Sequence, residues 1–173
     1  MQLNKQKISK YDSSPDIIAN TATSKPLFEL IQTHWQDHQT ELMMIRQQVF
    51  INEQQVPVEL EWDEFDQQAC HMLARLTLEH TKQAVGTARI VIHQQIAHLG
   101  RMAVLKQYRG QGIGQAILAA AISYCRQTQA EKIILNAQLS ALGFYQQAGF
   151  DISSEQFFDA NIAHKQMTLI LPK

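Results

Sequence analysis

Residues able to do chemistry are densest in one stretch, Met102-Ala-Val-Leu-Lys-Gln-Tyr-Arg-Gly-Gln-Gly-Ile-Gly-Gln-Ala-Ile117. It reads as the end of an apolar strand, a short polar turn, a glycine-rich loop and then a helix. Gly110, Gly112 and Gly114 leave the backbone bare where it bends, so that N–H groups can point at a ligand. The helix behind them, from about 112 to 127, opens with amides that have no partner inside the helix and with the positive end of its dipole. Arg109 adds a full positive charge at the same place. The chemistry this combination offers is the holding of a phosphate or pyrophosphate. Two phosphate loops are excluded. A Walker A loop needs Gly-Lys-Ser/Thr where this chain has Gly114-Gln115-Ala116, and a dinucleotide fingerprint needs glycine at 115. On the loop alone, a tight turn without a ligand stays open.

The elements that must position this loop follow from periodicity. The helix behind it carries Ile113, Ile117, Ala120, Ala121 and Tyr124 on one face. Upstream, 27–35 alternates as a strand, and 37–53 places Leu42, Ile45, Val49 and Phe50 at helical spacing. Pro57 interrupts, and an acidic segment follows in which Glu59, Glu61, Asp63, Glu64 and Asp66 surround Leu60, Trp62 and Phe65. Strands are expected at 70–78, 83–93 and 96–104, with the first two turning around His80. After the glycine loop and its helix come a strand at 132–137, a short helix over 139–148 stopped by Gly149, and a last strand at 162–171. The order predicts a single α/β structure around a mixed sheet.

Whole-chain properties bound the reading. With 173 residues, 45% of them hydrophobic, the chain suits one globular domain starting near Pro26, preceded by a weakly structured extension over 1–25. Ile8, Tyr11, Ile17 and Ile18 are the few apolar anchors of that extension. The net charge of −1 and the lack of a basic stripe argue against nucleic acid as a partner. No signal segment and no membrane-spanning run is seen, so a cytoplasmic protein without a membrane partner is expected. Cys70 and Cys125 lack metal-ligand spacing and are expected to be reduced and buried; no metal constellation is read.

The pattern Arg109-x-x-Gly112-x-Gly114 after a strand resembles the coenzyme A loop of the GNAT acetyltransferase superfamily. Ile133-Ile-Leu-Asn-Ala-Gln138 followed by Ala141-Leu-Gly-Phe-Tyr-Gln-Gln-Ala-Gly-Phe150 resembles its strand, helix and Phe-Tyr…Gly-Phe segment. The element order agrees, and the likeness covers about 27–171. A closer likeness, to the bacterial ElaA-like branch, rests on Val49-Phe50, Glu53-Gln54, Asp63-Glu-x-Asp66, His71, Ala88-Arg89, Gly100-Arg101, Ala137-Gln138 and His164. It implies a GNAT-type fold, a central mixed and mostly antiparallel sheet flanked by helices. It also implies acetyl transfer from acetyl-coenzyme A to an amine.

The resemblance assigns roles residue by residue. Met102, Ala103 and Val104 would lie on a bulged strand that splays from its neighbour, bond the pantetheine arm, and polarise the thioester carbonyl through a backbone N–H. Arg109, Gly110, Gln111, Gly112, Ile113 and Gly114 would take the pyrophosphate. Asn136 either reaches the pantetheine amides or caps the following helix. Tyr145 either protonates or hydrogen-bonds the leaving thiolate, or packs as an aromatic. Glu53, His71 and His164 are the candidate bases, with ordered water as the alternative. The acidic segment lies where the superfamily builds its acceptor wall. It either draws a cationic amine or is a solvated loop pinned by Trp62 and Phe65. The acceptor expected is a small-molecule amine; a protein N-terminus or lysine is the rival within enzymes. A non-catalytic acyl-coenzyme A-binding module is the rival outside them. A homodimer is suggested only by analogy with other members.

Overall fold

The computed structural model describes residues 28–78 and 81–172. The extension expected over 1–25, Leu27 at the start of the first strand and the turn residue His80 lie outside the described residues. From Phe28 the chain runs β1 (Phe28–His34), α1 (Trp35–Arg46), a one-turn α2 (Val58–Glu61), β2 (Cys70–Leu78), β3 (Thr81–His93) and β4 (Ile96–Val104). It continues through α3 (Ile113–Arg126), β5 (Lys132–Gln138), α4 (Leu142–Gln146), β6 (Asp151–Ile152), β7 (Phe157–Asp159) and β8 (Ile162–Ile170). The strands form one sheet in the order β1-β2-β3-β4-β5-β8-β6, with β7 also on β8. Among the described strands, only β4 and β5 pair in parallel. The predicted mixed, mostly antiparallel architecture is what forms.

Alternation along β2 sends Cys70, Met72, Ala74 and Leu76 to one side and His71 and Leu73 to the other. Both sets are buried, because helices cover both faces. On the first face α3 inserts Ile113, Ile117, Leu118, Ala121, Ile122 and Cys125, a broader stripe than the sequence pattern alone marked. Ala120 and Tyr124 flank it, half-buried. A Cβ on Gly86 would stand 2.7 Å from Ile117 Cδ1 and 3.2 Å from the Ala103 carbonyl oxygen, so a side chain there would force the tip of Ile117 to shift. On the opposite face α1 packs Leu42 and Ile45, followed by Val49, against Leu73, Ala84 and Ala103.

Several boundaries differ from the sequence reading. The first helix begins two residues earlier, at Trp35, and is interrupted at His38, whose φ of −139° is not helical. Beyond Arg46 it widens into a π-helical segment over Gln47–Glu53, closed by the Gln54 N–H on the Val49 carbonyl. The segment 139–148 is a 3₁₀ turn plus the short α4, with a positive φ at Gly149. β6 and β7 have two and three residues, too few for a period to appear in sequence.

Candidate functional site

β4 and β5 share only the pairs Ile96–Lys132, Ala97–Ile133 and His98–Ile134. Beyond His98 the two strands part, although β4 runs on to Val104 and β5 to Gln138. β4 also carries a bulge. Against β3, Arg89 faces Gly100 while Thr87 faces Ala103, so three steps on one strand match two on the other. Arg101, inside the bulge, has φ +50°, a conformation uncommon for a residue with a side chain. The result is an opening between the strands, and Leu99, Gly100, Arg101 and Met102 line it from β4.

At the end of β4 the glycine loop bends as its composition demands. Gly110 and Gly112 take φ of +76° and +87°, and Gly112 is the N-cap of α3. The Ala116 N–H bonds the Gly112 carbonyl at 3.1 Å and closes the first turn. The amides of Ile113, Gly114 and Gln115 precede it and project from the helix start. No Cβ added at Gly110 or Gly112 would meet another atom, so the space above the loop is open. Gly114 instead seats the Phe144 ring, 3.6 Å from where its Cβ would stand, which ties α4 to the loop. Arg109 is already engaged. Its Nε donates to the Val104 carbonyl at 2.9 Å, and its Nη atoms grip Glu53 at 2.7 and 2.8 Å.

The opening continues into a cleft of about 390 Å³ on the α1 side of the sheet. Its floor is made by Val91, His98, Ile134, Asn136, His164 and Gln166. One wall comes from the end of the first helix and α2, through Phe50, Gln54, Val56 and Leu60; the other from Ala141, Tyr145 and the Asp159–Ala160 turn. Gln54 and Gln138 meet across it, Nε2 of Gln138 donating to Oε1 of Gln54 at 2.8 Å. Tyr145 stands edge-on to Phe144 and Phe150 and points its hydroxyl at Met102 Sδ, 3.6 Å away, directly across the split. Burial pushes this phenol up to about 12, so at neutral pH it keeps its proton. Asn136 is exposed in mid-strand, opposite Gln166, and does not cap the next helix.

The candidate bases separate. Glu53 lies outside the cleft lining, and the hydrogen bonds from Arg109 hold its carboxyl below the usual range, which makes it a weak base. His71 is fully buried beside Trp35, away from the cleft. Its Nε2–H donates to the Asp66 carbonyl at 2.9 Å and its Nδ1 has no partner. Burial holds its pKa below the ordinary imidazole value. His164 does line the cleft, with Nδ1–H donating to the Ile162 carbonyl at 2.7 Å and the ring stacked on Phe157. That bond leaves Nε2 with its lone pair.

The acidic segment requires a correction on both of its expected readings. Glu61 and Asp66 are buried and Asp63 is largely covered. All three are bound by arginines. Arg46 reaches Glu61 and Asp66 at 2.6 Å each; Arg89 reaches Asp63 at 2.6 Å and Asp66 at 2.8 Å; Arg101 stands 3.2 Å from Glu61 and 3.5 Å from Asp63. Three guanidiniums thus offset the three covered carboxylates, and only Glu59 and Glu64 of the segment stay exposed. Trp62 is stacked on Arg46, 4.7 Å from its ring centre, and so is not free for a ligand ammonium. Phe65 is exposed. Sequence reasoning missed this network. The available signal was Arg46 falling on the buried helical face with Leu42, Ile45 and Val49, and Arg89 interrupting the apolar run of β3.

Among the described residues, no His/Cys/Asp/Glu group could hold a metal, and no helix is long and apolar enough to cross a membrane. Cys70 and Cys125 are free and buried, their thiols pushed up to about 11 and about 12 by burial. Residues 32–171 match the family model described as the acetyltransferase (GNAT) domain. Protein YyaT of Bacillus subtilis, described as uncharacterized, is 38% identical over 130 residues, 74% of this chain and 86% of that protein. YjcF of the same organism, described as an uncharacterized N-acetyltransferase, is 36% identical over 124 residues, 71% of this chain and 86% of that one. Escherichia coli ElaA has the same fold, with a TM-score of 0.71 at 23% identity over 82% of this chain and 99% of that one.

Proposed function

Because the chain belongs to the GNAT acetyltransferase family, and is therefore an acyl-coenzyme A N-acyltransferase, we propose that it acetylates a small-molecule amine taken up in the cleft beside the β4–β5 split. Members of this family use acetyl-coenzyme A as co-substrate. One observation carries the reading: β4 and β5 part beyond His98, the Tyr145 hydroxyl reaches Met102 on the parted stretch of β4, and the glycine loop follows the end of that strand. In this reading the pantetheine arm lies in the split along Met102, Ala103 and Val104, with Asn136 facing it from β5. The amides of residues 110–114 and Arg109 take the pyrophosphate, Arg109 giving up Glu53 for a stronger anion.

The reaction is a direct transfer. The amine nitrogen attacks the thioester carbonyl carbon, the C–S bond breaks, and the sulfur leaves as a thiolate. Holding both reactants in register is worth up to about 7–11 kcal/mol. A thiol has a pKa of about 8.5. A phenol at about 12 therefore gives Tyr145 the role of a hydrogen-bond donor to the thiolate rather than a complete proton donor. The proton lost by the amine goes to His164 Nε2, directly or through water, with Nδ1–H fixed on Ile162 to keep that lone pair available. A bounded cleft walled on two sides supports a small acceptor over a protein surface.

Calorimetric titration with acetyl-coenzyme A tests the cofactor assignment, with Gln111→Glu as control. That substitution sets a carboxylate beside the loop without the backbone strain that any side chain at Gly112 would add. Micromolar binding weakened at least tenfold in the variant is expected, and equal affinity would remove the loop from the site. Release of free coenzyme A thiol is then followed with small amines and with lysine peptides. Preference for the peptides would overturn the small-molecule acceptor.

A further inference from the structure

We propose that Arg101 seats an anionic group of the acceptor, and that the acceptor is an amine carrying a carboxylate a few bonds from its nitrogen. The proposal deepens the acetyl-transfer reading of the cleft and rests on it.

The three arginines of the ionic wall are spent to different degrees. Arg46 is wholly enclosed and delivers Nε to Glu61 Oε1, Nη1 to Asp66 and Nη2 to the Glu61 carbonyl. Arg89 forks onto both oxygens of Asp63 and adds Asp66. Arg101 differs. Its Nε and Nη2 donate to the backbone carbonyls of Glu61 and Leu60 at 3.1–3.2 Å, and its ion pairs, 3.2 Å to Glu61 and 3.5 Å to Asp63, are longer than those of Arg46 and Arg89. The carboxylates nearest to it are already held at shorter distance by Arg46 and Arg89. Its Nη1 has no hydrogen-bond partner among the described residues, and the side chain lines the cleft.

Electrostatics point the same way. Burial and the nearby charges of Arg89 and Arg46 pull the Arg101 pKa down despite Glu61 and Asp63, whereas the Arg89 carboxylates outweigh its burial and raise it. Arg101 is the most loosely paired cation of the cluster, and a ligand anion would pair it more closely. The left-handed backbone at Arg101, in the β4 bulge, is what turns this side chain toward the cleft wall formed by α2. Of the other charged lining residues, Arg89 is held by Asp63 and Asp66, Glu61 is bound by Arg46, and Asp159 is an exposed residue of the opposite wall. Arg101, Met102 and Tyr145 line the same cleft, so an anion held here shares it with the transferring acetyl group. Amine and anion must therefore be near neighbours in the acceptor, as in an amino acid.

The test is a set of matched pairs, the common amino acids and their carboxamides, assayed for coenzyme A release with wild type, Arg101→Met and Arg101→Lys. For the best side chain, the acid is expected to exceed its amide at least tenfold in kcat/KM. Arg101→Met should bring that ratio near one, and Arg101→Lys should retain part of it. Acetyl-coenzyme A affinity, read by titration, should stay within about twofold in the variants. Amides equal to acids, or a ratio that survives in Arg101→Met, would overturn the proposal. So would a tenfold loss of acetyl-coenzyme A affinity, which would give Arg101 to the cofactor. Turnover of other amines but of no amino acid overturns the carboxylate while leaving acetyl transfer in place. Failure to bind acetyl-coenzyme A at all removes both. If Arg101→Met fails to fold, the wild-type ratio and Arg101→Lys still decide.

Discussion

Beneath α3 the sheet offers Met72, Ala74, Ile90 and Ile133 to Ile113, Ile117 and Ala121, and among the described residues the buried charged side chains lie elsewhere. Beneath α1 it offers His71, Thr87 and Arg89, and the chain replies with Arg46, Glu61 and Asp66, all buried. The two faces are comparably enclosed but by different means. The α3 face relies on apolar area, whose burial is non-directional. The α1 face adds to its own apolar cluster a set of charge-assisted bonds of fixed geometry, which gain little net stability but fix orientation when satisfied. The cleft opens on the second face, where groups must be aimed.

Arg46→Met breaks this comparison most directly. It removes the shortest ion pairs of two buried carboxylates, leaving Asp66 to Arg89 and Glu61 to Arg101, and a loss of about 3–5 kcal/mol in urea unfolding is expected. A loss under about 1 kcal/mol would make the network incidental. Ile117→Ala on the other face should cost about 3 kcal/mol through the cavity it leaves. Its unfolding free energy should shift with salt no more than wild type does. Tyr145→Phe should lower kcat by roughly 10–100-fold, about 1.4–2.7 kcal/mol, with urea stability and acetyl-coenzyme A affinity nearly intact. Full activity would leave the hydroxyl without a role.

The pH response is the mildest discriminator. His71 has a folded pKa below its unfolded value of about 6.5, so its neutral form stabilises the fold above that pH. That contribution is lost as pH falls below about 6.5 toward the folded value. Glu61, raised by burial against its arginines, acts with the opposite sign from about pH 4.5 upward. The difference between wild type and His71→Gln therefore isolates the histidine, and parallel stability curves for the two would refute it. The α3 face is silent over this range, since Cys70 and Cys125 sit at about 11 and about 12.

The same contrast sorts what could be read from sequence. β2, β4, α3 and the glycine loop declare themselves by alternation, helical spacing and glycine, all local signals. The split after His98 was expected only through family likeness, since no residue in β4 or β5 announces where pairing stops. The ionic wall was misread because its partners are remote in the chain. Arg46 and Glu61 are 15 residues apart, Arg89 and Asp66 are 23 apart, and Arg101 bonds the Glu61 carbonyl from 40 residues away. Without those partners, carboxylates at 61, 63 and 66 look like free charge. The π-helical segment after Arg46 escaped for another reason: its composition continues the helix, and only its wider winding differs.

The parting of β4 from β5 has a consequence for motion. Two half-sheets, β1–β4 and β5–β8, are joined along their strands by three rungs at one end only. Residues 53 and 54 reach across from the first helix, Glu53 to the loop after β4 and Gln54 to the end of β5, so one short piece of chain laces both lips of the opening. Such a seam behaves as a hinge with a clasp. Backbone amides along its unpaired margins should exchange with solvent sooner than those between β2 and β3, and whatever fills the seam should slow them.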